Sequence, residues 1–186
     1  MATVEIKRVL KLGGSLAIIL PSRWVKGRIK AGEGLLIGNA GEYYVMAELL
    51  KRGVVAALAP RNTPSFDILA TKENRSVRIR VKTKSHEYSE WQWSIKKDGS
   101  IFRDLSEQGD FTVLVDLAME TKDLKFYVVP TYQIDAWLKR GFEKWISTLG
   151  RNNKPRSPTN PKRTLNQKTY AQVLSKYLNQ WEKLWE

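Results

Sequence analysis

Cysteine is absent from the 186 residues and histidine occurs once, at His86. Together these absences exclude Cys/His zinc fingers, zinc deaminase chemistry, thiol nucleophiles, disulfides and His-based metal clusters. Long apolar runs are also missing. The longest, residues 16–20 and 54–59, fall far short of the ~20 residues that span a bilayer, and no signal peptide precedes them. The sequence therefore predicts a soluble, cytoplasmic protein with no membrane partner. Gly13-Gly14 is not followed by Gly-Lys-Ser/Thr, which argues against a nucleotide-binding P-loop. No internal repeat is visible.

Positive charge is plentiful. Thirty-two Lys and Arg outnumber nineteen Asp and Glu, for a formal net charge of +13. Residues 1–38 carry seven cations against two acids, residues 39–138 fourteen against fourteen, and residues 139–186 eleven against three. A neutral middle between two basic ends predicts a core domain with two electrostatic arms, and phosphate is the first partner to consider. The length suits one domain with a sound core, or a small module attached to one.

The run Val77-Arg78-Ile79-Arg80-Val81-Lys82-Thr83-Lys84 alternates strictly. As a strand it puts Val77, Ile79, Val81 and Thr83 on one face and four cations on the other. Like charges so close repel, so the pattern predicts that the cationic face meets an anion. Arg80 stands two residues before Lys82 on the same face.

Residues 4–10 and 15–20 read as strands joined by a turn at Gly13-Gly14, and Pro21 stops the second. Ser22 can cap a helix over residues 23–30, and Gly32 and Gly34 punctuate before an apolar strand at 35–37. Residues 41–51 suit an amphipathic helix ended by Gly53. Residues 54–58, 66–70, 77–83, 111–117 and 125–129 read as strands, residues 132–139 as a helix, 151–163 as a loop and 170–184 as a closing helix. Trp91 and Trp93 share a strand face; stacking on bases is one reading, and core or interface packing is the commoner one. His86 reads as an exposed polar residue.

Glu42 on a helix within Gly41-Glu42-Tyr43-Tyr44-Val45, Asp67 in Asn62-Thr63-Pro64-Ser65-Phe66-Asp67-Ile68-Leu69 and Lys82 in Ile79-Arg80-Val81-Lys82-Thr83 together resemble the PD-(D/E)xK, or restriction endonuclease-like, nuclease core. The resemblance covers residues 39–138 and implies a mixed central sheet with flanking helices. It also implies a catalytic set of Glu42, Asp67 and Lys82, with Mg²⁺ or Mn²⁺ on Asp67 and Glu42 polarising a phosphate and activating a water that the lysine orients. Arg80 departs from the pattern. A guanidinium about 6 Å from a divalent ion costs roughly 5 kcal/mol at an effective dielectric of ~20, so the metal site is expected to be weakened or inactive. Glu87 or Glu90 could supply a displaced carboxylate. Without the resemblance, Asp67 reads as a turn residue and Glu42 as an acid favoured near a helix N-terminus.

The segment Val9-Leu10-Lys11-Leu12-Gly13-Gly14-Ser15-Leu16-Ala17-Ile18-Ile19-Leu20-Pro21, with Trp24-Val25 and Ile29-Lys30-Ala31-Gly32-Glu33, resembles the AbrB/MazE/SpoVT swapped-hairpin DNA-binding domain. That resemblance implies a homodimer presenting Arg8, Lys11 and Arg23 to DNA. The expectation is thus an α/β protein with an AbrB-like element over 1–38 and a nuclease-like domain over 39–186, its basic helical tail starting near 139. It would bind DNA as a homodimer through Arg8, Lys11, Arg23, Arg78, Arg80 and Lys84. Two alternatives stay open: a Mg²⁺-dependent endonuclease, and an antitoxin-like or scaffolding protein whose basic arms bind an acidic partner.

Overall fold

The computed structural model describes residues 8–12, 15–19, 22–60, 63, 65–106, 109–117 and 123–186, with side chains from residue 34 onward. The chain divides into two compact units, Met1–Ile37 and Gly38–Glu186.

In the first unit, β1 (Arg8–Leu12) pairs antiparallel with β2 (Ser15–Ile19), Leu12 facing Ser15. The hairpin expected from the sequence is therefore present. Its turn at Gly13-Gly14 and residues 4–7 of its first expected strand lie outside the described residues. One element differs. Instead of a short helix, a break and a strand at 35–37, a single helix α1 runs Ser22–Lys51. Each interior glycine costs a helix only about 1 kcal/mol, no proline interrupts the run, and a three-residue strand would have needed an edge to pair with. Leu35 and Leu36 are exposed on this helix.

In the second unit, five strands form one mixed sheet in the order β3 (Val55–Leu58), β4 (Ile68–Lys72), β5 (Arg75–Ser85), β7 (Asp110–Leu117), β8 (Lys125–Pro130). Only the β5–β7 pair is parallel. A separate two-stranded ribbon joins β6 (Glu90–Ser94) to β9 (Lys162–Asn166). Gly53, at φ +71°, ends α1, with Val54 N–H donating back to the Leu49 carbonyl; a left-handed residue after the last turn suits glycine.

Both faces of the sheet are covered. On one, Val45 and Leu49 of α1 pack with Ile68, Val77, Ile79, Val113, Val115 and the C-terminal Trp181 and Leu184. On the other, Leu114, Tyr127 and Val129 pack with Ile134 and Leu138 of α2 (Thr131–Ile146) and with Trp91 and Leu165 of the ribbon. The α/β architecture with a mixed sheet and flanking helices agrees with the sequence. The strands of this sheet agree to within two residues at each end, β4 being shifted by two toward its C-terminal end. The ribbon was not foreseen, and the closing helix does not form. Helix α3 spans only Ala171–Leu174. Leu178 is extended and bridges Tyr127, and Asn179 takes φ +54° and donates its N–H to the Phe126 carbonyl at 2.7 Å. Pairing with the edge strand β8 thus replaces helical hydrogen bonds there. Among the described residues no helix is long and apolar enough to cross a membrane.

Helix α1 reaches β5 through Gly41. A Cβ built there would lie 1.9 Å from Thr83 Oγ1, 2.9 Å from its Cβ and 3.0 Å from its Cγ2. Rotating Thr83 moves its Oγ1 and Cγ2 but not its Cβ, which stays 2.9 Å from the added atom. Gly41→Ala should therefore lower stability in urea titration by about 1–3 kcal/mol, despite the ~1 kcal/mol by which alanine favours a helix. Adding Thr83→Ala should recover part of the loss.

Candidate functional site

The β5 alternation holds. Val77 and Ile79 lie in the core beneath α1, and the cations line the opposite face. That face is not a free row of charges, because three of its four cations find anions within the fold. Parallel pairing sets Arg78 against Asp110 and Lys84 against Asp116. Arg78 Nη2 donates to Asp110 Oδ2 at 2.8 Å, and Arg80 Nη1 reaches Asp110 Oδ1 at 3.4 Å. Lys84 pairs with Asp116, which also accepts from Gln167. The side chains of Arg80 and Lys84 are 10% and 5% exposed. The anion demanded by the alternation is thus supplied in large part from the next strand, and Arg80 and Lys84 are mostly covered and ion-paired instead of forming a free cationic row. Arg78, with its side chain 32% exposed, is also held by Asp110.

Aromatic rings cover the same cations. Arg80 lies over Phe102 at 5.6 Å, Lys82 over Trp93 at 5.6 Å and Lys84 over Trp91 at 5.2 Å. Trp91 and Trp93, two residues apart, match the spacing of Lys84 and Lys82 on the strand they cross. Trp91 is buried and donates its Nε1–H to the Val115 carbonyl, so it packs the core.

Lys82 is the exception among the four cations. Opposite it on β7 stands Leu114, and no carboxylate comes within ion-pair distance among the described residues. Its electrostatic partner is Asp67, immediately before β4. Backbone bonds from Asp67 N–H to the Ile79 carbonyl at 2.9 Å and from Ala59 N–H to the Asp67 carbonyl at 2.8 Å hold that residue. Asp67 Oδ2 accepts from Val81 N–H at 2.7 Å. Glu42, next to the Gly41 contact, is close enough to Asp67 for their charges to oppose each other. The fold thus brings together Glu42, Asp67 and Lys82, which are far apart in sequence.

Burial dominates their titration. It pushes the Glu42 carboxyl up, with Asp67 adding to the rise. It also raises Asp67, against the opposing pull of the Val81 N–H, Arg80 and Lys82. The Lys82 ammonium is pushed down by burial and partly restored by Asp67. The cluster offers two oxygen donors to a cation and one amine whose proton is loosened. Among the described residues no three of His, Cys, Asp and Glu are grouped to hold a metal ion. Glu87 lines a different pocket, of about 480 Å³, beside Lys84 and His86, and Glu90 accepts from Gln92 on the ribbon. Neither supplies a displaced third ligand.

No protein-family model and no curated protein matches this sequence. Among solved structures, the chain is similar to a Holliday junction resolvase of the archaeal hyperthermophile Archaeoglobus fulgidus, with a TM-score of 0.39 and 16% identity over 74% of this chain and 95% of that one. It is also similar to a bacterial homing endonuclease, with a TM-score of 0.42 and 16% identity over 76% of this chain and 93% of that one. At such TM-scores neither likeness carries functional weight.

Arg8 and Lys11 lie on β1 and Arg23 on α1; their side chains lie outside the described residues. Sequence reading missed Lys96 and Arg103, which share a pocket with Asp67, Arg80 and Lys82, because nothing in the local pattern ties residues 96–103 to β5. It also missed Asp110 and Asp116, although a signal existed. These acids are six residues apart, as are Arg78 and Lys84.

Two outcomes follow. Asp110 is fully buried and serves two guanidiniums, so Asp110→Ala should cost about 3–5 kcal/mol in denaturant titration, the usual loss when one partner of a buried pair is removed. A carboxylate whose pKa rises on folding stabilises the fold at low pH and loses that contribution as pH rises through the raised value. Asp67→Asn, which keeps an acceptor for Val81, should therefore melt above the wild type at neutral pH. The difference should close as pH falls through the carboxylate range; a lower melting temperature at neutral pH would contradict this account.

Proposed function

We propose that this chain binds DNA and addresses its backbone through a nuclease-like core in which Glu42, Asp67 and Lys82 form a weakened metal-dependent site. The observation that carries the reading is the convergence of these three residues, from a helix, a strand entry and the neighbouring strand, into one partly buried cluster. This helix, strand and strand arrangement is the one that the restriction endonuclease-like resemblance implies. The +13 net charge, concentrated at the two ends, supports DNA as the partner.

The residues fit Mg²⁺ or Mn²⁺ only in part. Asp67 and Glu42 would hold the ion, and Mg²⁺ is commonly bound by one or two carboxylates with waters and substrate phosphates completing its shell. Once bound, it would polarise the phosphate and acidify an attacking water. Arg80 occupies the third acid's place. Its pairing with Asp110 moderates its repulsion of a metal but supplies no ligand. The carboxylate pair therefore suits a metal chiefly when a phosphate is already present. Lys82, its proton loosened by burial, is placed to hold or release a proton beside that phosphate.

The hairpin β1–β2 with Arg8, Lys11 and Arg23 would add phosphate contacts and join two copies, as the AbrB-like resemblance implies. Light scattering of the full chain at micromolar concentration should then give a dimer mass; a monomer would remove that part of the reading. The alternative of an efficient Mg²⁺-dependent endonuclease is separated by plasmid assay. Supercoiled plasmid incubated with the protein should be retarded in a gel, with little nicking in Mg²⁺ or Mn²⁺. Rapid cleavage that Asp67→Asn abolishes would establish the endonuclease instead. Affinity for duplex should fall by about 10³–10⁵ between 50 and 200 mM salt if 6–10 phosphates are neutralised. No retardation at low salt would leave the interaction-protein alternative standing.

A further inference from the structure

A pocket of about 180 Å³ opens beside Asp67 and is lined by Arg80, Lys82, Lys96 and Arg103. Four cations there face one lining carboxylate. Asp110, just behind, is already shared by Arg78, Arg80 and the Ser106 N–H. Lys96 Nζ is covered from solvent and makes no hydrogen bond, and Arg80 Nη1 makes none beyond its 3.4 Å ion contact with Asp110. No acceptor meets the Arg103 guanidinium among the described residues. A covered ammonium without a hydrogen-bond partner, offset only at longer range by Asp98 and Asp104, is costly, and neighbouring guanidiniums raise the cost. Such a group persists most readily where an anion from outside completes it.

The segments carrying these cations are held in place. A turn closes over Lys96, whose N–H donates to the Ser100 carbonyl at 2.8 Å while Gly99, at φ +80°, donates back to the Lys96 carbonyl at 3.0 Å. Ile101 is buried and anchors the next residues. Arg80 Nη2 donates to the Arg103 carbonyl at 2.8 Å, and Arg78 Nη2 to the Asp104 carbonyl at 3.2 Å. The two β5 guanidiniums therefore fasten by its backbone the loop that carries Arg103. A cluster of cations with unused donors, carried on backbone that is held in place, is suited to a tetrahedral oxyanion.

We infer that Lys96, Arg103 and Arg80 form a phosphate-binding pocket that grips a backbone phosphate of DNA without a metal ion. The inference rests on the DNA-binding reading above and extends it: cations take over the charge compensation that a divalent ion gives in a complete nuclease site. Lys96 and Arg103 are binding residues here, and Arg80 holds the loop as well as the anion.

The test is fluorescence anisotropy of the full chain with a labelled duplex in excess chelator, together with thermal melting in millimolar inorganic phosphate. Lys96→Gln/Arg103→Gln should weaken duplex binding at least tenfold in chelator and flatten the salt dependence by about one unit of slope. Without ligand it should melt at or above the wild type, because an unpaired charge has gone. Should the double variant fold poorly, Arg103→Gln alone, at an exposed position, must still weaken binding several-fold. Inorganic phosphate should raise the wild-type melting temperature and leave the double variant unmoved. Wild-type affinity and slope in the variants would overturn the pocket while leaving DNA binding intact. If the wild type binds no duplex but is stabilised by phosphate through these residues, the DNA reading fails and the pocket stands as a free-phosphate site. If neither ligand acts, the pocket is overturned as well.

Discussion

Cations on β5 can lie inside the fold because β7 runs parallel to it with two carboxylates at a matching spacing. Arg78 meets Asp110, Lys84 meets Asp116, and Arg80 borrows Asp110 from the diagonal. At about 4 Å and an effective dielectric near 20, such a pair is worth roughly 4 kcal/mol before desolvation is subtracted. The net gain is small, but removal of either partner is expensive. The register of the sheet's one parallel pair is therefore fixed by charge as well as by apolar alternation. A one-residue slip would bury Arg78 and Lys84 against Phe111 and Leu117 or their counterparts.

That register also isolates Lys82. Leu114 stands opposite it, so its compensation comes from the other side of the strand, where Asp67 enters β4. Gly41 lets α1 approach Thr83 closely enough to bring Glu42 to the same place. Two carboxylates raised by burial and an amine lowered by it form a cluster whose charges are incompletely balanced. Clusters of this kind are where functional chemistry is commonly found. On its Arg80 side the imbalance has the opposite sign, with cations in excess. Carboxylates that a cation would balance thus border guanidiniums and an ammonium that an anion would balance.

The aromatic residues follow from the same constraint. Trp91, Trp93 and Phe102 each cover one β5 cation, trading hydration for ring contacts worth about 0.5–2 kcal/mol each. The placement of Trp91 and Trp93 depends on the β6–β9 ribbon, whose second strand begins at the end of the stretch 151–163 that reads as loop. Pairing with β6 gave residues 162–166 their extended form. In the C-terminal segment, pairing with β8 likewise overrode a helical pattern.

Period-two alternation and turn residues in the sequence determined the five strands of the sheet, the α/β class, the helix stop at Gly53 and the placement of Glu42, Asp67 and Lys82 on separate elements. These features depend on local backbone preference and on which face is apolar, and both can be read within a few residues. Only the tertiary structure decided what each cation meets. Arg78, Arg80 and Lys84 look identical along the strand, yet Asp110 and Asp116 pair with all three, and Leu114 leaves Lys82 to Asp67. Lys96 and Arg103 join them only because a loop more than a dozen residues away is fastened over β5. Electrostatic partnership depends on distance in space, and distances between strands are set by the packing of the whole sheet.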